Sequence, residues 1–240
     1  MNCKEEFSRS ARVIGTGAVE RLKGARVAVF GVGGVGGYVC EALARAGIGS
    51  LTLVDSDVIS VSNINRQIIA THSTVGQPKV KAFADRIRDI NPECRVEARQ
   101  EFFLPESADG YDFTKYDYIV DAIDTVSAKL ALAEIADSLG IKIISSMGAG
   151  NKLNPLAFEI EDIYKTSVCP LARAMRSELK KRGVKALKVV YSKEKATPRH
   201  PSVAHLFKEG EKAPGSISFV PSAVGLIIAG EVIRDLIEGL

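Results

Sequence analysis

Glycines and an acid in the first quarter of the chain are spaced as in a site that binds a nucleotide. The run Gly31-Val-Gly33-Gly34-Val-Gly36 follows an apolar segment, and Asp55 ends the next apolar segment. In such a loop the glycines allow a tight turn and a close approach of backbone to phosphate, and a carboxylate about 20 residues further on can accept hydrogen bonds from ribose hydroxyls. These residues alone fit NAD and ATP equally well.

Polar and basic residues after Asp55 favour a nucleoside triphosphate over a redox cofactor. They are Ser62, Asn63, Arg66 and Lys79. Transfer to the α-phosphorus of ATP needs cations around the phosphates, and a hydride-transfer site has little use for them. Asp124 ends a later apolar segment and could hold Mg²⁺, which binds one or two carboxylates together with phosphate oxygens. Ordinary surface charge would also explain Arg66 and Lys79, and a strand-end cap would explain Asp124.

The elements that must position these residues alternate between strand and helix patterns. Short β-rich apolar runs precede Gly31, Asp55 and Asp124, and segments with helical spacing of apolar residues separate them. This alternation implies a parallel sheet with right-handed crossovers, whose ligands bind at the carboxyl ends of the strands. We predict an α/β, Rossmann-like, doubly wound and mostly parallel sheet with a C-terminal extension of strands and helices.

The prediction assigns residues 1–240 to one ATP-binding domain. Residues 1–150 form its nucleotide-binding part, and residues 151–240 form a C-terminal part that faces the substrate. Within the C-terminal part, the sequence predicts a short strand over residues 216–219 and a closing helix over residues 221–237.

Cysteine usage and hydropathy exclude several classes of protein. Cys3, Cys40, Cys94 and Cys169 are far apart and form no C-x-x-C pair, which argues against a zinc site. Scattered thiols and a polar N-terminal segment are typical of a cytoplasmic protein. The most apolar stretch, residues 219–230, is shorter than the roughly 20 residues of a membrane-spanning helix, so no membrane partner is expected.

Positive charge is concentrated in the C-terminal part. Residues 164–212 carry 13 Lys and Arg against 4 Asp and Glu, although the net charge of the whole chain is only +3. Such a segment can be the electrostatic footprint of a polyanion such as RNA. A solvated helix face and loop would have the same composition.

Several short motifs of residues 7 to 150 together resemble the ThiF/MoeB/HesA family, the relatives of ubiquitin-activating enzymes. The motifs are Gly31-Val-Gly-Gly-Val-Gly36, Asp55-Ser-Asp57, Ser62-Asn-Ile-Asn-Arg66-Gln, Val75-Gly-Gln-Pro-Lys79 and Asp121-Ala-Ile-Asp124. The resemblance implies ATP-dependent adenylation of a carboxylate by a homodimer.

The resemblance also implies roles for single residues. It assigns the α-phosphate region to Gly34, the ribose to Asp55, the phosphates to Asn63, Arg66 and Lys79, and Mg²⁺ to Asp124, with Thr125 beside it among the cofactor-binding residues. It further implies an arginine that crosses the dimer interface, and Arg12 in Ser10-Ala-Arg12-Val-Ile-Gly15 matches that motif. A surface arginine is the plainer interpretation of Arg12.

The C-terminal half resembles one branch of that family, the tRNA threonylcarbamoyladenosine dehydratases. The matching segments are Ser146-Met-Gly-Ala-Gly150-Asn-Lys-Leu-Asn-Pro155, Asp162-Ile-Tyr-Lys165-Thr, Pro170-Leu-Ala-Arg173 and Gly215-Ser-Ile-Ser-Phe-Val-Pro221. The resemblance implies a tRNA substrate whose threonyl carboxylate is adenylated and then closed into a ring by the neighbouring carbamoyl group. Such an intramolecular attack gains a large effective molarity and needs no protein nucleophile.

Other functions stay open on the sequence alone. An adenylyltransferase for a ubiquitin-like sulfur carrier would give Cys169 an acceptor role, but the missing cysteine pairs argue against it. A cysteine-desulfurase-type sulfur-transfer partner could also feed the enzyme. An NAD-dependent oxidoreductase and a nucleotide-gated RNA-binding protein are further alternatives. The glycines of residues 148–150 could expose carbonyl oxygens to a monovalent cation, although a tight turn explains them equally well.

Overall fold

The computed structural model describes residues 4–198, 200–206 and 214–239, so residues 199 and 207–212 of the basic segment lie outside the described residues. The strands are β1 (Arg26–Phe30), β2 (Ser50–Val54), β3 (Arg95–Arg99), β4 (Tyr118–Asp121), β5 (Lys142–Ser146), β6 (Phe158–Asp162) and β7 (Lys188–Ser192). The helices are α1 (Ser8–Ile14), α2 (Thr16–Gly24), α3 (Gly36–Ala46), α4 (Lys79–Ile90), α5 (Val126–Leu139), α6 (Pro170–Lys181) and α7 (Phe219–Ile237).

The strands form one seven-stranded sheet in the order β3-β2-β1-β4-β5-β7-β6. All neighbours are parallel except β6, which runs antiparallel to β7. The chain moves outward from β1 in one direction through β2 and β3, and in the other through β4 and β5. The predicted mostly parallel α/β sheet is confirmed, and the point between β1 and β4 is a topological switch point, where such folds bind ligands.

Helices cover both faces of the sheet, which explains why its central strands are apolar throughout. All four residues from Val27 to Phe30 of β1 are fully buried. Helices α3, α4 and α7 contribute to the cluster on one face, and α5 and α6 contribute to the clusters on the other. Helix α7 approaches α3 closely because position 225 is glycine: a Cβ there would lie 2.5 Å from the Val35 carbonyl oxygen. None of the described helices is long and apolar enough to cross a membrane.

The predicted strand over residues 216–219 is wrong. Helix α7 already begins at Phe219, and the residues before it are irregular. Their backbone groups bond elsewhere: the Asn65 Nδ2 donates to the Ser216 carbonyl at 2.9 Å, and the Gly215 amide donates to Asn151 Oδ1 at 2.7 Å. Because side chains satisfy these groups, the segment needs no partner strand.

Candidate functional site

A cavity of about 470 Å³ opens at the carboxyl edge of β1 and β4, and we call it the nucleotide cavity. Predicted site residues that line it are Gly31, Gly33, Gly34, Asp55, Asn63, Arg66, Lys79 and Asp124. A larger cavity, of about 590 Å³, lies beside Arg26 and Ser50, where β1 and β2 begin. We place the candidate site in the smaller cavity because parallel α/β sheets bind ligands at the carboxyl ends of their strands.

The glycine loop is tight because of two backbone contacts. Gly31 has φ +84°, and a Cβ there would lie 2.6 Å from the Ala122 carbonyl oxygen. A Cβ on Gly36 would lie 1.8 Å from the Gly31 carbonyl oxygen, so Gly36 sits behind the loop and not in the cavity wall. Helix α3 starts at Gly36, and its N-terminus therefore points toward the loop, where an anion is favoured.

Asp55 is a preorganised acceptor at the end of β2. The amide of Val32 donates to Asp55 Oδ2, and the amide of Asp57 donates to Asp55 Oδ1, both at 2.9 Å. The first bond fixes the acid against the glycine loop, and the second fixes it within its own turn. Each carboxylate oxygen keeps a further lone pair for a ribose hydroxyl.

Lys79 is 5% exposed at the start of α4, and its ammonium faces two carboxylates. Its Nζ lies 2.7 Å from Asp57 Oδ2 and 3.6 Å from Asp55 Oδ1. Asp57 belongs to one of the family motifs, but no role for it was predicted. Its position two residues after Asp55 was the available signal, because residues i and i+2 of an extended segment share a side.

A short 3₁₀ turn, Val61–Asn63, organises the polar run that precedes Arg66. Asn63 Oδ1 accepts from the Ser60 amide at 3.1 Å. The Arg66 Nη1 donates to the Ser62 carbonyl at 3.0 Å and to Asn65 Oδ1 at 2.9 Å. The Ser62 side chain is outside the cavity wall, so Ser62 acts here through its carbonyl. Arg66 forms no ion pair within the described residues, and its charge is therefore available to an anion.

The loop that carries Asp124 rests on a buried ion pair. Lys129 Nζ lies 2.9 Å from Asp121 Oδ2, and both side chains are fully buried. Lys129 also donates to the Ile123 carbonyl at 3.1 Å, and Ser145 Oγ donates to Asp121 Oδ2 at 2.5 Å. The pair thus fixes the loop from below. Sequence reasoning missed Lys129, although a lysine inside the apolar pattern of α5 was a signal.

Asp124 itself is exposed at the cavity, and Thr125, which is not in the wall, donates from Oγ1 to Asp124 Oδ1 at 3.4 Å. No cluster of three or more His, Cys, Asp or Glu within the described residues could hold a metal ion. A carboxylate beside a phosphate site nevertheless fits Mg²⁺, which takes most of its ligands from phosphates and water.

Gln67 is a further wall residue that was not predicted from the sequence. It is only 6% exposed, and its Oε1 is buried without a hydrogen-bond partner. A buried, unpaired amide costs free energy, and such a group is typical of a wall that a polar ligand completes. Its position directly after Arg66, at the end of the same family motif, was the available signal.

Two predicted or considered residues lie away from the cavity. Arg12 is exposed on α1 and does not line the cavity of its own chain. Cys169 is 4% exposed and packs in an apolar cluster with Met147, Ile163 and Ala172 at the start of α6. A buried thiol in apolar surroundings is inert, so its position argues against the sulfur-carrier alternative.

The glycine at position 150 has a steric explanation. A Cβ on Gly150 would lie 2.6 Å from Pro214 Cβ, and both residues line the nucleotide cavity. Gly150 therefore allows the segment after β5 to contact the segment before α7.

Comparison with known proteins gives consistent results over the whole chain. The model of the ThiF family matches residues 7–238. The tRNA threonylcarbamoyladenosine dehydratase of Bacillus subtilis is 42% identical over 243 residues, which cover 98% of this chain and 96% of that protein. The structure of the Escherichia coli tRNA N6-threonylcarbamoyladenosine dehydratase, TcdA, in complex with ATP superposes with a TM-score of 0.87 at 33% identity, covering 97% of this chain and 93% of that one.

A relative with another activity matches less of the chain. The adenylyltransferase and sulfurtransferase UBA4 of Candida glabrata is 34% identical over 154 residues, which cover 62% of this chain and 35% of that protein. The similarity to the dehydratases therefore covers more of the chain.

Proposed function

Because the chain belongs to the ThiF family, we propose that it uses ATP to activate the threonyl carboxylate of threonylcarbamoyladenosine in tRNA and closes it into a ring. One observation carries this proposal: similarity to a dehydratase covers 98% of the chain and thus includes residues 151–240, the part that was predicted to face the substrate. An adenylating enzyme for another substrate would be expected to share mainly the nucleotide-binding half.

The nucleotide cavity has the groups that ATP requires. Asp55 accepts from the ribose hydroxyls, and the backbone of Gly33 and Gly34 approaches the phosphates. Arg66 and Lys79 neutralise the triphosphate. Phe102, 52% exposed in the wall beyond β3, offers an apolar surface to the base.

Asp124 is the residue that would hold Mg²⁺, with Thr125 bonded to its carboxylate. Bound there, the ion would neutralise charge on the phosphates of ATP. The buried Lys129 stabilises the loop that carries Asp124 by donating a hydrogen bond to the Ile123 carbonyl.

The proposed reaction has two steps, adenylation of the carboxylate and ring closure. The threonyl carboxylate oxygen attacks the α-phosphorus of ATP, and pyrophosphate leaves with the electrons of the broken P–O bond. The resulting mixed anhydride is then attacked by the carbamoyl group of the same nucleoside, which loses a proton as AMP leaves and the ring closes. The net change in the nucleoside is loss of one water. The second attack is intramolecular, so proximity replaces a protein nucleophile.

The basic helix α6 supplies a surface for the RNA backbone. Arg173, Lys180 and Lys185 are exposed on α6 and the turn after it, and none of them forms an ion pair within the described residues. Unpaired cations can release the counterions of phosphates, which is the main source of affinity for RNA.

The working unit in this proposal is a homodimer in the cytoplasm, whose residues 151–240 face the tRNA. Arg12 of one protomer reaches the phosphates in its partner's cavity. Its exposure on α1, away from the cavity of its own chain, is compatible with this role.

The proposal is tested by incubating threonylcarbamoyl-modified tRNA with the protein and Mg-ATP and analysing the nucleosides by mass spectrometry. We expect a product lighter by one water, formed with one AMP per ring. An unchanged nucleoside, with AMP transferred instead to a carrier protein that ends in Gly-Gly, would replace this function with the sulfur-carrier activity.

A further inference from the structure

A second cavity of about 240 Å³, which we call the side pocket, adjoins the nucleotide cavity. Segments that follow β5, follow β7 and precede α7 form its walls. Ser216 lines both cavities. Gly150 of the nucleotide cavity is also followed directly by Asn151 of the side pocket. The two cavities are therefore neighbours along a shared wall.

Asn151 ties the three wall segments together. It has φ +56°, which asparagine tolerates better than most residues. Its amide donates to the Gly215 carbonyl at 2.8 Å, its Oδ1 accepts from the Gly215 amide at 2.7 Å, and its carbonyl accepts from the Thr197 amide at 2.7 Å. These bonds define the shape of the side pocket without a ligand.

The sheet topology indicates the side from which the substrate carboxylate approaches ATP. Asp55 follows β2, so the nucleoside of ATP extends toward the β2 and β3 side of the switch point. The α-phosphorus then lies by the glycine loop, between β1 and β4. A carboxylate that attacks this phosphorus must come from the unoccupied side, toward β5 and β7. The side pocket lies on that side.

We infer that the side pocket receives the adenine base of the modified nucleoside, and that its threonyl arm passes Ser216 to reach the nucleotide cavity. This inference rests on the proposed function. The walls suit a base: Leu153 and Ile217 are 56% and 38% exposed and offer apolar surface. The Gly215 amide fixes the orientation of the Asn151 amide group, whose Nδ2 has no hydrogen-bond partner among the described residues and can donate to a base nitrogen.

The size of the side pocket also suits part of a ligand. Pockets that take whole small molecules have volumes of roughly 300–1,000 Å³, and 240 Å³ is smaller. Proteins recognise RNA loops by binding unstacked bases, one in each pocket. A base held in the side pocket would place the reactive arm and exclude water from the same opening.

The test fills the side pocket and leaves the nucleotide cavity unchanged. Thr197→Trp and Leu153→Trp each place a large ring at an exposed position of the wall, from the segments after β7 and β5. Leu156→Trp is the matched control, because Leu156 is 91% exposed and lines neither cavity. Ring closure on modified tRNA, ATP affinity and binding of unmodified tRNA are measured for each.

We expect both pocket variants to raise the KM for modified tRNA about ten- to hundredfold, the range for removing the stacking of one base. Their ATP affinity and their binding of unmodified tRNA should stay within about twofold of the control, since those use other surfaces. Pocket variants that match Leu156→Trp in KM would overturn the inference and leave the proposed function standing. A wild-type protein that closes no ring would overturn both.

Discussion

The two buried lysines near the nucleotide cavity and the basic surface of the C-terminal part use charge in opposite ways. Two lysines near the nucleotide cavity are buried and paired: Lys79 in the wall is 5% exposed beside two carboxylates, and Lys129, outside the wall, is fully buried with Asp121. On α6 and the turn after it, Arg173, Lys180 and Lys185 are exposed and unpaired within the described residues. The same types of residue thus serve two kinds of interaction.

The difference reflects what each region must bind. A phosphorus atom under attack needs donors at fixed positions, and buried partners fix a lysine before the substrate arrives. A folded RNA offers many phosphates in variable positions, and exposed cations with free side chains adapt to them. Precision therefore comes from buried pairs, and affinity for a polyanion comes from unpaired surface charge.

Breaking the buried pair should give the largest effect. Lys129→Met leaves Asp121 buried without its partner, and this should lower the free energy of unfolding by about 3–5 kcal/mol. Urea unfolding measures the change. The exposed pair of Arg182 with Glu134 is the control, and Arg182→Ala should cost no more than about 1 kcal/mol. Asp121→Asn combined with Lys129→Met should recover part of the loss. If Lys129→Met and Arg182→Ala lowered the free energy of unfolding equally, burial of charge would not distinguish the two regions.

Removing the cavity cation should come next. Lys79→Ala takes away a cation that its carboxylate partners hold at the cavity wall and that contacts the phosphates in the proposed function, and we expect ring closure to slow by about 10²- to 10³-fold. Lys81→Ala is the control in the same helix, since Lys81 is exposed and paired with Asp85. Single-turnover AMP formation with modified tRNA measures both. Equal rates in the two variants would rule out a role for Lys79 in the chemistry.

Removing the unpaired cations should change the salt dependence more than the chemistry. A triple substitution of Arg173, Lys180 and Lys185 by alanine should reduce the slope of log Kobs against log salt by about 0.7 for each phosphate that is no longer neutralised. The rate at saturating tRNA should stay near that of the wild type. Lys81→Ala with Arg88→Ala removes paired cations elsewhere and should leave the slope unchanged. Fluorescence anisotropy with tRNA at several salt concentrations gives the slopes.

Lowering the pH should reduce the free energy of unfolding, by less than the loss of the buried Lys129–Asp121 pair. Burial acts against ionisation of Glu41 on α3, but hydrogen bonds from Arg86 and Arg45 outweigh it and lower its pKa. A carboxyl with a depressed pKa in the folded state stabilises the protein above its unfolded pKa, about 4.3, and this stability is lost as pH falls.

Glu41→Gln should therefore cost about 1 kcal/mol of unfolding free energy at neutral pH, and less as the pH falls below about 4. Urea unfolding at neutral pH and at a pH below about 4 measures the difference in unfolding free energy between wild type and variant. A difference that stays constant with pH would contradict the assignment of the stabilisation to the ionised carboxylate.

Regular periodicity made part of the fold predictable. The predicted closing helix over residues 221–237 is confirmed with an earlier start, since α7 spans Phe219–Ile237 and its buried residues keep a helical period. The predicted strand at residues 216–219 failed because side chains from distant segments, Asn65 and Asn151, satisfy its backbone. Local pattern carries no information about such partners.

The candidate site shows the same division. Motif spacing predicted the glycines, Asp55, Arg66 and Lys79 as site residues, and the structure places Gly31, Gly33 and Gly34 with these three in the wall of one cavity. Asp57, Gln67 and Lys129 were missed as site residues because their importance comes from pairing or from burial in the folded chain. Types of residue predict what can contact a ligand, and only three-dimensional contacts identify what holds those residues in place.

The position of Gly225 against α3 has a consequence for how the site assembles. The start of α7 supplies Pro221 to the nucleotide cavity, while the glycine loop that faces it comes from the first part of the chain. A site with such widely separated walls raises the contact order and slows folding. We therefore expect hydrogen exchange to detect late protection at the Gly31 loop, at the same time as in α7. ATP added during refolding should then bind only after α7 has docked.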